Sequence, residues 1–104
     1  MEIKLVSEVH LQLLNTFMEA TKDDVRINTA HISLYVSLTF HWQKRDYKNP
    51  LSVFRHEILP FCKISGTATY HRSMKELHEF GYIRYVPSYN HFLGSLVYFI
   101  KDSP

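Results

Sequence analysis

The residues of this chain best suited to chemistry lie between Ile64 and Gly81, in the run Ile-Ser-Gly-Thr-Ala-Thr-Tyr-His-Arg-Ser-Met-Lys-Glu-Leu-His-Glu-Phe-Gly. Tyr70, Met74, Leu77 and Phe80 recur at three- and four-residue spacing, the spacing of one helical face, which leaves Thr67, Thr69, His71, Arg72 and Lys75 on the other. Ser65 is the expected N-cap, its hydroxyl accepting an orphan N–H of the first turn, and Gly81 is the expected left-handed stop. The open face is suited to recognition rather than bond-making. The planar fork of Arg72 matches a guanine edge or a phosphate, and threonine offers a hydroxyl to either and a methyl to thymine. Lys75, and Lys63 just upstream, are point charges that suit phosphates and carry no sequence information.

Each of these residues also has a plainer use. Arg72 and Lys75 serve equally as solvated helix charges, since Glu76 and Glu79 share the helix, and His71 as an incidental surface residue. Tyr70 falls on the apolar face and reads as core rather than as a platform for a base. The seven histidines, at 10, 31, 41, 56, 71, 78 and 91, form no HxxxH pair and have no acidic partner at ligand spacing, so no metal is expected. With no glycine-rich phosphate loop and no nucleophile motif, neither a cofactor nor an enzymatic activity is expected. Cys62 reads as a small buried residue rather than a reactive thiol.

Composition limits the elements that must position this stretch. The 104 residues suffice for one domain, and 45% hydrophobic with 21% charged residues is a globular balance. A net charge of +2 is too mild to name a nucleic acid as partner, but its distribution is uneven. Residues 1 to 26 set Lys4, Lys22 and Arg26 against Glu2, Glu8, Glu19, Asp23 and Asp24, a net of −2. Residues 44 to 75 set Lys44, Arg45, Lys48, Arg55, Lys63, Arg72 and Lys75 against Asp46 and Glu57, a net of +5 around the Ile64–Gly81 run. One cysteine allows no intrachain disulfide. No run approaches the roughly 18 apolar residues of a membrane span, and Met-Glu-Ile-Lys does not open a signal peptide, so a cytoplasmic protein without a membrane partner is expected.

Along the chain, residues 7 to 21 read as an amphipathic helix capped by Ser7, with Val9, Leu13, Leu14, Phe17 and Met18 on its stripe. That stripe either packs on the domain or builds a homodimer. Between Ile32 and Trp42 apolar and polar residues alternate as in a strand. The length of the segment, the Asn28-Thr29 cap signal and the cationic end at Lys44-Arg45 favour a helix burying Ile32, Tyr35, Val36, Leu38 or Thr39, and Trp42. Pro50 marks a loop. Ser52 or Val53 is the expected start of a short helix with Phe54, Ile58, Leu59 and Phe61 inward, kinked or ended near Leu59 by Pro60. Tyr82–Val86 and Ser95–Ile100 read as two strands of a hairpin with an eight-residue tip, Pro87–Gly94. Tyr89 and Phe92 at that tip are expected to pack on it rather than to stack on a base, and Asp102–Pro104 is a tail.

Short helix, turn, capped helix with a basic face, glycine and hairpin is the order of a winged helix-turn-helix. The expected fold is therefore mainly α with a C-terminal β-hairpin: a three-helix core over residues 28–80, a hairpin over 82–100, and an N-terminal amphipathic helix over 1–26 as a possible dimerisation element, all in one domain. Thr29-Ala-His-Ile-Ser-Leu-Tyr, Trp42, Asn49-Pro50, Lys63-Ile-Ser-Gly-Thr-Ala-Thr-Tyr-His, Lys75-Glu-Leu-His-Glu-Phe-Gly-Tyr-Ile-Arg-Tyr, Pro87-Ser-Tyr-Asn and Leu93-Gly-Ser add a likeness. Through them the chain resembles small winged-helix transcriptional regulators of Bacteroidetes, often found with mobile elements. It departs from their pattern at His91, where a proline is expected, and at Pro60. The resemblance implies a DNA-binding fold and carries over no operator or effector. On this reading double-stranded DNA is the partner, with Arg55 and His56 near phosphates and Arg84, Asn90 and His91 placing the hairpin in a minor groove or along the backbone. The alternative is a winged-helix module that docks a protein instead. No small-molecule ligand is expected.

Overall fold

The computed structural model describes residues 2–90 and 92–100. The expectations placed on the Val9 side chain, on His91 and on the tail Asp102–Pro104 lie outside what it describes. Four helices, α1 (Glu2–Thr21), α2 (Thr29–Lys44), α3 (Arg55–Cys62) and α4 (Thr67–Glu79), surround three short strands, β1 (Leu51–Val53), β2 (Ile83–Val86) and β3 (Ser95–Phe99). The strands form one antiparallel sheet in the order β1-β3-β2. The architecture is therefore mixed α/β: it is compatible with the expected helices followed by a C-terminal hairpin, β2–β3, to which β1 adds a third strand.

α2 is central, and it is a helix in spite of its alternating sequence. Asn28 accepts from the N–H groups of Ala30 and His31 at 2.9 and 3.2 Å, and the Nδ1 of His31 accepts from the Asn28 N–H at 3.0 Å. Two orphan donors and the cap's own N–H are thereby satisfied. The strand-like pattern comes from two ridges at four-residue spacing on opposite sides of one helix. Leu34, Leu38 and Trp42 are buried, with His31 and Tyr35 beside them. Ile32, Val36 and Phe40 form the other ridge; Ile32 is only half-buried and Val36 is exposed, contrary to expectation. The hydroxyls of Ser37 and Thr39, buried on α2, bond back to the carbonyls of Ser33 and Val36.

The core formed on α2 takes Ile58 and Cys62 from α3, Tyr70, Met74 and Leu77 from α4, and Leu51, Val53, Ile83, Val97 and Phe99 from the sheet. Trp42 packs against Phe99 with ring centroids 4.6 Å apart and donates its indole N–H to the Lys48 carbonyl. α1 begins at Glu2, so Ser7 lies within the helix and does not cap it. Its Leu13 and Phe17 are buried, the Phe17 ring stacked on Tyr35 at 3.7 Å, while Met18 is exposed rather than part of the buried stripe.

Three further expectations give way around the α3–α4 unit. Leu51–Val53 is a strand, not the start of a helix: it pairs with β3 through Leu51 opposite Val97 and Val53 opposite Ser95, a contact across more than forty residues that no local pattern announces. Helix α3 starts after Phe54, whose N–H is accepted by Glu57, and it runs through Pro60 to Cys62. In so short a helix the missing N–H of Pro60 removes one bond from a ladder that ends two residues later. Lys63 then turns the chain in the left-handed region at φ 58°, and Phe61 is exposed rather than inward.

α4 is capped by Gly66 instead of Ser65, so no side-chain oxygen occupies its N-terminus. Its other end is as expected. Gly81, at φ 88°, donates to the His78 carbonyl while Tyr82 donates to that of Leu77, a Schellman closure.

Candidate nucleic-acid interface

One face of α4 is sealed and the other is open. Tyr70, Ser73, Met74 and Leu77 are buried, whereas Thr67, His71, Arg72 and Lys75 are exposed and Thr69 is half-buried. The helix is held in this rotation at three places. Met74 and Leu77, with no exposed surface, fix its middle. The Nε2 of buried His31 lies 2.9 Å from Glu76 and donates to it, because its Nδ1 already accepts the Asn28 N–H; one imidazole thus ties the start of α2 to α4. Farther along, the Nδ1 of His78 accepts the N–H of Tyr85 at 3.0 Å and ties α4 to β2.

The loop between α1 and α2 secures the far end. Asp24 accepts from the Tyr82 hydroxyl at 2.6 Å and pairs with Arg26 at 2.7 Å, and the Arg26 guanidinium lies 4.1 Å from the centre of the half-buried Phe80 ring. The side-chain bonds from Arg26 and Tyr82 hold the Asp24 carboxyl far below the usual carboxylate range.

The same pairing leaves cations unmatched. Glu57 lies 3.3 Å from Arg45 and Glu76 is turned to His31, while among the described residues no carboxylate pairs with Arg55, Lys63, Arg72 or Lys75. Arg55 opens α3 and Lys63 closes it; both are exposed, beside the start of α4.

Arg55, His71 and Asn90 converge on a cleft of about 240 Å³ between the start of α3, the start of α4 and the hairpin tip. Its wall also includes Phe54, His56, Tyr70, Tyr85, Ser88 and Leu93, and no carboxylate. Burial pushes the Tyr70 phenol well above the usual tyrosine range, so it lines the cleft as a neutral group. Arg84 stands apart. Alternation along β2 turns Ile83 and Tyr85 toward the helices and Arg84 to the opposite face, its guanidinium 5.2 Å from the centre of the Tyr98 ring. Thr67, Thr69, Arg72 and Lys75 are not part of the cleft wall; they continue the surface along α4.

The contributions of Tyr85 and Ser88, like the bridge from His31 to Glu76, are absent from the reading of the sequence. The bridge had a local signal: a histidine three residues after Asn28 occupies the place of the glutamate in a capping box. For Tyr85 and Ser88 there was none, since the hairpin meets α3 and α4 only in the folded chain, across long separations in sequence. Among the described residues no group of His, Cys, Asp or Glu converges as a metal site, and no helix is long and apolar enough to cross a membrane. Comparison with protein-family models, with curated proteins and with solved structures gives no match to this chain.

Proposed function

We propose that this protein is a winged helix-turn-helix that binds double-stranded DNA, with α4 as the recognition helix and the β2–β3 hairpin as the wing. The observation that carries the reading is the pairing pattern on α4: one face closed by the core, the other presenting His71, Arg72 and Lys75 with no carboxylate partner among the described residues. The order α2, β1, α3, α4, β2, β3 supports it, because a short strand between the first two helices that closes the hairpin into a three-stranded sheet belongs to that fold. A helix of this size fits the major groove with its N-terminal residues at the base edges, which makes Thr67, Thr69, His71 and Arg72 the readers. Lys75, Lys63 and Arg55 take phosphates, and the N-terminus of α4, with no side-chain cap, presents its N–H groups to another.

The role is that of a small cytoplasmic transcriptional regulator or mobile-element accessory factor, in keeping with the resemblance of its second half to such regulators. It acts as a homodimer through α1, whose Leu11 and Met18 are exposed seven residues apart on one side of the helix. Fluorescence anisotropy against sites selected from a random duplex pool tests the reading. Tight binding that falls steeply with salt is expected, and affinity no better than for random DNA overturns the sequence-specific form.

A second reading rests on a different observation. Val36 and Phe61, 45% and 53% exposed, form with Phe40 an apolar surface on α2 and α3 that suits a protein partner. If the chain is such a module, exchanging Arg72 and Lys75 for alanine changes no DNA association, because there is none to change.

A further inference from the structure

The tip of the hairpin, Pro87–Gly94, holds its apolar side chains outward. Tyr89 is 95% exposed, against the expectation that it would pack on the tip, and Phe92 and Leu93 are 87% and 62% exposed. The backbone that carries them is nevertheless organised from within. Ser88 donates its N–H to the Ser95 hydroxyl and its own hydroxyl accepts the N–H of Asn90; the Asn90 side chain accepts from Phe92 and its carbonyl from Leu93. At its base Gly94 lies so close to β1 that a Cβ there would run into the Ser52 hydroxyl and stand 2.9 Å from the Val53 carbonyl. The tip is thus a braced projection with an apolar end, and large exposed apolar groups of this kind mark contact surfaces.

Charge identifies the occupant. Neither Pro87–Gly94 nor the wall of the adjoining cleft, among the described residues, contains a carboxylate, and the wall supplies the guanidinium of Arg55. An apolar projection beside a cationic, acid-free cleft is complementary to a surface that is apolar at its centre and anionic at its edge. Stacked bases flanked by phosphates are such a surface.

Building on the DNA-binding reading, we infer that the tip is a wedge. Tyr89 presses into a base step from the minor groove, partly unstacks it and bends the duplex, while the cleft holds the neighbouring phosphates. Apolar side chains inserted in this way kink DNA, and the steps that yield most readily are pyrimidine–purine steps, TA and CA/TG. The wing therefore adds a preference for deformable steps to the base readout by α4.

The test uses the full chain with short duplexes carrying 2-aminopurine at a central TA step and a donor–acceptor dye pair at the ends. At saturating protein the wild type raises 2-aminopurine fluorescence and end-to-end energy transfer. Tyr89→Ala binds about tenfold more weakly, at the low end for a lost base–aromatic contact, and loses both signals at saturation, while Tyr89→Phe retains them. Salt-dependent binding without either signal in the wild type, or both signals intact in Tyr89→Ala, overturns the wedge and leaves DNA binding standing. Absence of salt-dependent binding overturns both. A Tyr89→Ala protein that keeps both signals but no longer self-associates in sedimentation assigns the tip to a second copy of the chain and overturns the wedge.

Discussion

Arg72 and Lys75 lie on the same open face of α4, but the chemistry of their heads separates what they do. If the chain binds DNA as proposed and Arg72 reads a guanine by two parallel bonds, Arg72→Ala is expected to cost about 1 to 3 kcal/mol of binding and to relax discrimination at one base. On the same proposal Lys75→Ala is expected to weaken binding evenly across sequences and to lower the salt slope by about one, the signature of a phosphate contact. Competition anisotropy over a set of single-base variants, repeated at several salt concentrations, distinguishes the two. Away from that face, the Asp24 carboxyl links pH to stability. Its folded pKa lies below its unfolded value, so its contribution is complete above the ordinary carboxylate pKa of about 4 and is lost as pH falls through the folded value. Urea midpoints measured downward from pH 5 are expected to fall less steeply in Asp24→Asn than in the wild type.

At the scale of elements, α4 depends on partners that set its rotation without touching any ligand. His31 is 1% exposed and serves both the cap of α2 and Glu76. Its removal strands the Asn28 N–H and a carboxylate oxygen, and His31→Ala is expected to cost about 1 to 3 kcal/mol in denaturant unfolding. His31→Gln, whose amide both accepts and donates, recovers part of that loss. The hairpin depends on β1 in the same way. Because the Cβ of Gly94→Ala would meet backbone atoms of Val53 as well as the Ser52 hydroxyl, the substitution forces the tip from the sheet, with an expected loss of about 1 to 3 kcal/mol. Were the wing to take no part in binding, Gly94→Ala at a temperature where it remains folded would bind DNA as the wild type does.

For the molecule as a whole, the arrangement of charge counts for more than its total. A net of +2 over 104 residues is unremarkable, but Arg55, Lys63, Arg72 and Lys75, which pair with no carboxylate among the described residues, lie on or beside α3 and α4, while Asp24 and Glu19 pair within or beside the N-terminal helix and loop. A dimer joined through α1 would present two such faces, and dimeric helix-turn-helix readers take half-sites about one helical turn of DNA apart. Sedimentation velocity is expected to give a dimer for the wild type and a monomer for Leu11→Lys/Met18→Lys, with an unchanged circular dichroism spectrum because neither side chain is buried.

The sequence alone determined whatever is decided within a turn or two of the chain. The cap at Asn28, the glycine stop at Gly81 and the sealed and open faces of α4 follow from side-chain oxygens, backbone freedom and three- to four-residue spacing, all local quantities. It was less informative where a residue's place depends on a distant partner. Leu51–Val53 is too short to show a period and becomes a strand only by pairing with β3, and Val36 and Phe61 are apolar yet exposed because they lie on helix faces turned away from the core that Leu34, Leu38 and Ile58 enter. Tertiary structure likewise joined Arg55, His71 and Asn90 in one cleft, separated Arg84 from them, and left Tyr89 projecting from a tip held in place by β1. The physical reason is the same in each case: sheet pairing and core packing are settled between residues far apart in the chain, where no local pattern can register them.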